Sequence, residues 1–140
     1  SNVTYTWQKS TMRTSTLPAI LKKMPAEVQA AIREVTKLSG ASAYLSELDS
    51  TADKLFILSD DELGIGYNSV AGEGIMYEYY TGGSGRRIKQ YNNTNSYWWL
   101  RSICTDNNHK GSVKCIDTSG YLHQFSGSDT DYGVSFGFCF

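Results

Sequence analysis

Several things are scarce in this sequence. It has two prolines, Pro18 and Pro25, and no glutamate after Glu78. Thirteen Lys and Arg face fourteen Asp and Glu, giving a net charge of −1 and a pI near 6.1. Without a basic excess to neutralise phosphates, a nucleic-acid partner is not expected. No apolar run approaches the ~20 residues that span a bilayer, so membrane insertion is not expected either. No signal-peptide pattern opens the chain, and the initial Ser1-Asn2 is compatible with a domain cut from a longer polypeptide. The three cysteines, Cys104, Cys115 and Cys139, form an odd set without a C-x-x-C pair, which indicates neither a zinc ribbon nor a disulfide framework. Buried free thiols are expected, with a Cys104–Cys115 bridge across a hairpin as the alternative.

What is present suits one domain over residues 1–140. Hydrophobic residues make up 40% and aromatics 13%, with ten Tyr and three Trp. A chain of this length buries roughly 70% of its unfolded surface, enough for a packed core. The vocabulary changes midway. All six Glu, all eight Ala and all three Met lie at or before Glu78, whereas five of the seven Asn lie between Tyr91 and Asn108. Helix formers come first, turn and strand formers later. The expected class is α+β, with N-terminal helices packed on a small antiparallel sheet with long loops.

Ser10 or Thr11 caps a short helix carrying Leu17, Ile20, Leu21 and Met24 at helical spacing. Pro25 opens a second helix through Ile32. Residues 33–38 are read as an alternative extended segment, and Ser39–Ala52 as a loop. Lys54–Leu58 reads as a buried strand, and Ser59-Asp60-Asp61-Glu62 as the start of a helical turn. Trp98–Ser102 reads as a strand, and Val113–Asp117 and Tyr121–Phe125 as a hairpin across Thr118-Ser119-Gly120. Val134–Phe140 closes the sheet, its alternation placing Val134, Phe136, Phe138 and Phe140 on one face.

Two apolar strands thus bracket a stretch written in Asn, Asp, Ser, Thr, Tyr, His and Gly, the arrangement of a fixed frame displaying adaptable side chains. The candidate ligand-binding residues are Ile103, Thr105, Asp106, Asn107, Asn108, His109, Asp117, Tyr121, His123, Phe125, Ser126, Ser128, Asp129 and Asp131. The scaffold is Trp98, Trp99, Arg101, Phe136 and Phe138. With Leu122 turned to the core, Tyr121, His123 and Phe125 form an outward row. Arg101, between Leu100 and Ser102, is read as a buried guanidinium stacked on Trp and bonded to backbone carbonyls, in preference to a carboxylate clamp for a ligand.

Four ordered segments carry a family resemblance. Thr6-Trp7-Gln8-Lys9-Ser10 with Met12-Arg13 resembles the opening of a bacterial and phage domain of unknown function. Asp53-Lys54-Leu55-Phe56-Ile57-Leu58-Ser59 and Trp99-Leu100-Arg101-Ser102 resemble its interior signatures, and Gly133-Val134 with Gly137-Phe138-Cys139 its terminus. The resemblance implies a C-type-lectin-like fold of the branch related to formylglycine-generating enzymes, found on bacterial surface and phage tail-tip proteins. Some relatives of that kind are variable proteins of diversity-generating retroelements, in which adenine-directed mutation rewrites one ligand-binding face. The polar bias before the fixed terminus suits that origin. The sequence departs from the enzyme branch, having no Arg-Gly-Gly-Ser-Trp run and no close cysteine pair.

Other chemistries are weighed and set aside. Calcium would want the oxygens of Asp106, Asn107, Asn108, Asp129 and Asp131, but no D-x-[DN]-x-[DN]-G loop is present, so no cofactor is expected. A thiol–imidazole pair from the cysteines with His109 or His123 lacks an acid partner, and Cys139 among apolar neighbours reads as an inert core thiol. Thr81–Arg87 lacks the Gly-Lys-Ser/Thr ending of a phosphate loop and reads as a flexible connection. The Asn92-Asn93-Thr94 sequon matters only in a eukaryotic secretory setting. The expectation is a non-catalytic domain that binds a host or bacterial cell-surface protein or glycan. It would be extracellular, on a virion tail or cell surface, with a homotrimer by analogy to tail-tip proteins. The rival readings are an oxidase of the formylglycine-generating kind and a purely structural surface or tail domain.

Overall fold

The start of the chain is fixed by a polar clamp rather than by apolar contacts alone. In the computed structural model, which describes residues 6–125 and 131–140, Trp7 is buried and its Nε1 donates to Asp53 Oδ2 at 3.0 Å. Arg13 Nε reaches Asp53 Oδ1 at 2.6 Å, so one carboxylate ties the first turn to a strand forty residues on. Ser10 Oγ accepts the Arg13 amide at 3.2 Å, an N-terminal cap of the kind its residue type favours. A wide turn over Met12–Thr16 runs into helix α1 (Leu17–Lys22), and α2 (Ala26–Ala31) follows. Pro25 stands just outside α2, its carbonyl accepting the amides of Val28 and Gln29.

The strands form four small antiparallel sheets. β1 (Val35–Gly40) pairs with β2 (Leu48–Asp53) from Val35↔Asp53 to Gly40↔Leu48. This corrects the expected loop over 39–52: both of its ends are strand, and only residues 41–47 between them are not. The inward face of β2 is Thr51 and Asp53, whose side chains bond to each other at 2.6 Å, so the buried stripe is polar and satisfied. β3 (Phe56–Ile57) pairs with β9 (Phe136–Gly137). β4 (Lys89–Tyr91) and β5 (Thr94–Ser96) are joined by Asn92 and Asn93 at φ 50° and 61°, the left-handed turn pair that suits a tight hairpin.

The third element group positions the candidate site. β6 (Trp98–Ile103), β7 (Val113–Ile116) and β8 (Leu122–Phe125) form a three-stranded sheet in that order. Trp98, Ile116 and Leu122 are opposite one another across it, on the side that packs into the core with Trp7, Leu17, Phe56 and Leu100. Gly120 closes the β7–β8 turn at φ 84°, where a side chain would also strike the Ser84 carbonyl. Backbone contacts of Gly133 with Tyr97 and Trp99 dock the C-terminal segment alongside β6. The result is a mixed α and β domain with few helices and small antiparallel sheets, compatible with the expected α+β class.

The closing segment differs from the expected full-length strand. Only Phe136 and Gly137 pair as strand, with a single further bridge from Cys139 to Arg33. Val134 and Phe136 pack against the core, whereas Phe138 and Phe140 are exposed and meet ring to ring at 5.2 Å. Phe138 is therefore surface rather than buried scaffold. Beyond Gly137 the bridge from Cys139 to Arg33 is the one strand-like contact among the described residues, and Phe138, Cys139 and Phe140 are exposed.

Candidate functional site

Arg101 is 3% exposed and sits at the centre of a buried charged lattice. Its Nη1 and Nη2 grip Glu62 Oε2 and Oε1 at 2.6 and 3.0 Å, while Nη1 also donates to the Ile57 carbonyl and Nη2 to that of Glu73. Nε donates to Ser39 Oγ at 3.1 Å. Arg101 is buried and bonded to backbone carbonyls, as expected from the sequence, but its main partner is Glu62 and no stacking on a Trp ring is seen among the described residues. Lys37 Nζ adds a second cation to Glu62 at 2.7 Å. Burial raises the Glu62 carboxyl, but the hydrogen bonds and charges of Arg101 and then Lys37 outweigh it and hold Glu62 below its ordinary value.

A second buried group adjoins the first. Lys114 Nζ pairs with Asp60 Oδ2 at 2.8 Å, both side chains having no solvent exposure, and also donates to the Tyr67 carbonyl. Ser102 Oγ bridges Asp60 and Glu73, and Glu73 Oε1 accepts the Gly40 amide at 2.7 Å. Six ionisable side chains from β1, β6, β7 and the 60–73 segment thus lock the frame internally. The sequence reading found Arg101 and missed the other five, which look like ordinary surface residues along the chain.

On the other side of β6–β7–β8 lies an aromatic surface. Trp99, Cys115 and His123 are in register across the three strands. Tyr132 tilts against Trp99 at 4.8 Å between ring centroids and stacks on Tyr97 at 4.9 Å, and Tyr97 meets His123 edge-on at 6.0 Å. Cys115 is wholly buried beneath this layer, while Tyr121 and His123 are exposed. The outward setting of Tyr121 and His123, with Leu122 packed on the core, matches the expected alternation. Phe125 ends β8. Tyr97 and Tyr132 were not among the expected contact residues; their flanking of the framing strands was the available signal.

The expected polar residues divide by location. Asp117 caps the β7–β8 turn, its Oδ1 accepting the amides of Ser119 and Tyr121 at 2.8 and 2.9 Å, and its Oδ2 lies 3.1 Å from His123 Nε2. At the opposite end of β7, Asp106 Oδ1 accepts the amides of Asn108 and His109. Both aspartates therefore build turns as well as facing solvent. Asn107, Asn108, His109 and Asp131 are exposed, and Thr105 is half-buried with its amide on the Asn68 carbonyl. Ile103 is a correction: it has no exposed surface and packs next to Gly40 and Val70, because β6 continues through it into the core. Ser126, Ser128 and Asp129 lie outside the described residues. Among the described residues no cluster of three or more His, Cys, Asp or Glu gathers to hold a metal.

The cysteines also separate. Cys104 and Cys115 are buried thiols, so the bridge between them is not formed, whereas Cys139 is exposed and not the core thiol expected of its apolar neighbours. Burial first, then a hydrogen bond to Asp106 at 3.0 Å, pushes the Cys104 thiol up to about 11. That same bond is the largest cause drawing Asp106 down to about 2, joined by the two backbone amides. Since the thiolate is the reactive form, Cys104 is a poor nucleophile. Iodoacetamide on the folded chain is expected to modify Cys139 alone, with Cys104 and Cys115 reacting only after denaturation. Mass spectrometry of the digested protein checks this, and early modification of Cys104 would contradict it.

Among the described residues no helix is long and apolar enough to cross a membrane. No curated protein and no solved structure matches the chain. The family described as Domain of unknown function (DUF6273) matches residues 2–139, nearly the whole sequence. The chain belongs to that family.

Proposed function

We propose that this domain is a non-catalytic ligand-binding module of C-type-lectin-like fold. It displays a polar-aromatic face to a host or bacterial cell-surface protein or glycan, from a phage tail tip or a bacterial surface. The observation that carries the reading is the continuous ring layer Trp99–Tyr132–Tyr97–His123, with Tyr121 exposed beside the Asp117–His123 pair. Such rings give wide contact at small entropic cost, and adjoining Asn, Ser and Asp adapt their hydrogen bonds. The charged lattice behind the sheet keeps the frame fixed while the outward side chains vary, which also suits diversification by a retroelement. Several copies, as in a homotrimer, would multiply weak contacts. The reading calls for no cofactor.

Two experiments test it. The first sequences the DNA beside the gene for a near-copy of the codons for residues 95–140, differing at adenines, next to a reverse transcriptase. Absence of that repeat removes the diversification part. The second measures binding to cell surfaces and a glycan array for the parent, Tyr121→Ala and His123→Ala. Each variant should retain its melting temperature, because exposed substitutions change stability by only about ±0.5 kcal/mol. Each should lose binding roughly tenfold or more, as truncation of an interface anchor does. Unchanged binding in both variants would remove the face as the site.

A further inference from the structure

Beyond the ring layer, two depressions lie along the docked segment 133–139, one lined by its residues 135–139 and the other by 133–135. One, about 390 Å³, is walled by Tyr77, Tyr79 and Phe138 over a floor of Phe56. The other, about 200 Å³, lies between Tyr91 and Tyr97. Lys89 and Ser135 line both, so the two hollows adjoin at these residues and are together called the groove. Its volume falls at the scale of small-ligand sites. Tyr77, Tyr79, Tyr91 and Phe138 are all exposed, an unusual concentration of ring surface facing solvent.

The groove has a definite charge. Lys89 Nζ lies 5.9 Å from the ring centres of Tyr79 and Tyr80 and 5.8 Å from that of Trp98. Arg86 approaches Tyr79 from beside it, at 5.3 Å. Among the described residues no carboxylate lines either depression and none pairs with Lys89. A cation with no counterion among the described residues thus lies on an aromatic bed, where two ring-walled hollows also offer tyrosine and serine hydroxyls.

That combination selects a ligand chemistry. The rings take flat apolar faces, the hydroxyls take a polar rim, and the ammonium takes an anion held between two such units. A pyranose has an apolar C–H face and a rim of hydroxyls, and a sugar acid adds the carboxylate. A single-stranded nucleic acid would also stack on the rings, but it requires a basic track along its backbone that a chain of net charge −1 with one lysine in the groove does not supply.

We propose that this groove binds an acidic oligosaccharide, its pyranose rings lying on the tyrosine walls and a carboxylate meeting Lys89. The site goes beyond the ring-layer reading, which it meets only at Tyr97, and it stands or falls separately. The test titrates the chain with tetragalacturonate, with neutral maltotetraose and a thymidine oligonucleotide as comparisons, and follows alkylation of Cys139, which lines the groove. Tetragalacturonate is expected to saturate and to slow Cys139 alkylation, with maltotetraose weaker. Lys89→Gln should bind about tenfold more weakly, the loss of one charge-assisted hydrogen bond. Tyr121→Ala, on the ring-layer face, should bind tetragalacturonate as the parent does. No saturable binding, equal binding of the neutral sugar, tighter binding of the oligonucleotide, or an unaffected Lys89→Gln would each overturn the proposal.

Discussion

Arg101→Ala is expected to cost about 3–5 kcal/mol, the effect of removing one partner from a buried ion pair. For a domain of this size that corresponds to a fall in melting temperature of roughly 10–20 °C, or to failure to fold at all given a total stability of about 5–15 kcal/mol. The damage comes from what the guanidinium leaves behind. Glu62 would retain Lys37 and the Ser59 amide at 3.0 Å, but its two bonds to Arg101 would be gone in a site closed to water. The carbonyls of Ile57 and Glu73 would lose donors at 2.8 and 2.6 Å. Arg101→Lys should rescue little, because an ammonium cannot fork across a carboxylate while also reaching the carbonyls of Leu38, Ile57 and Glu73. A triple variant, Lys37→Met with Glu62→Leu and Arg101→Met, should be less damaged than Arg101→Ala alone, since it leaves none of these three charges buried without its partner. Urea denaturation of the three proteins measures this. A loss under about 1 kcal/mol for Arg101→Ala, the range of an exposed pair, would mean that the buried lattice does not hold the frame.

Arg101 also shows where sequence reading succeeds and where it stops. A lone charge between Leu100 and Ser102 in an aromatic strand has few outcomes other than burial with a partner, and the strand at Trp98–Ser102 was legible for the same reason. The β7–β8 hairpin was legible from its Thr-Ser-Gly turn and from Leu122 flanked by polar and aromatic residues. β2 was not, because its buried positions are Thr51 and Asp53. Alternation of hydrophobicity is the signal for a half-buried strand, and here the alternation is between polar groups that find partners and polar groups that face water. Lys37, Asp60, Glu62, Glu73 and Lys114 escaped notice for a related reason. A charged residue is read as exposed unless its counter-ion is known, and these counter-ions are up to 54 residues away. The closing strand failed in the opposite direction: alternating phenylalanines suggested a buried face, but beyond Gly137 there is only the single bridge from Cys139 to Arg33.

The two faces of the central sheet therefore follow different rules. Toward the core, Ser102 and Lys114 are held by bonds that allow little substitution. On the other face, Trp99, Tyr97, Tyr132 and His123 make ring contacts, and aromatic pairing constrains geometry less than a satisfied ionic lattice does. Polar interior bonding fixes a unique backbone where a chain of this length, with few and short helices, has limited apolar packing to do so. A frame specified from behind can change its front without unfolding, which is the physical requirement of any display surface.

Glu73 gives that interior a pH dependence. Ser102 Oγ accepts the Asp60 amide at 2.9 Å and lies within bonding distance of both Asp60 Oδ1 and Glu73 Oε2. A hydroxyl has one proton, so it can serve only one of two ionised carboxylates. A proton on Glu73 resolves the conflict, Glu73 donating to Ser102 and Ser102 to Asp60. Burial is the main cause pushing the Glu73 carboxyl up to about 7, and the Asp60 charge adds to it, while Ser102, the Gly40 amide and Arg101 oppose it. The folded state then holds a proton that the unfolded chain has lost above about 4.5. Stability is therefore highest at the acid end of that window and falls as pH rises through it to about 7, by about 3 kcal/mol in all, and levels off above. Glu62 acts at the other end: its lowered value means its contribution is lost only as pH falls below the ordinary carboxylate range. The parent should be most stable near pH 5, and its urea midpoint should decline between pH 5 and 8. Glu73→Gln keeps an acceptor for Gly40 and a donor for Ser102 without an ionisation, so its midpoint should stay level over the same range. Parallel declines in the two proteins would show that Glu73 ionises as an ordinary carboxylate and that the proton shared around Ser102 has no part in stability.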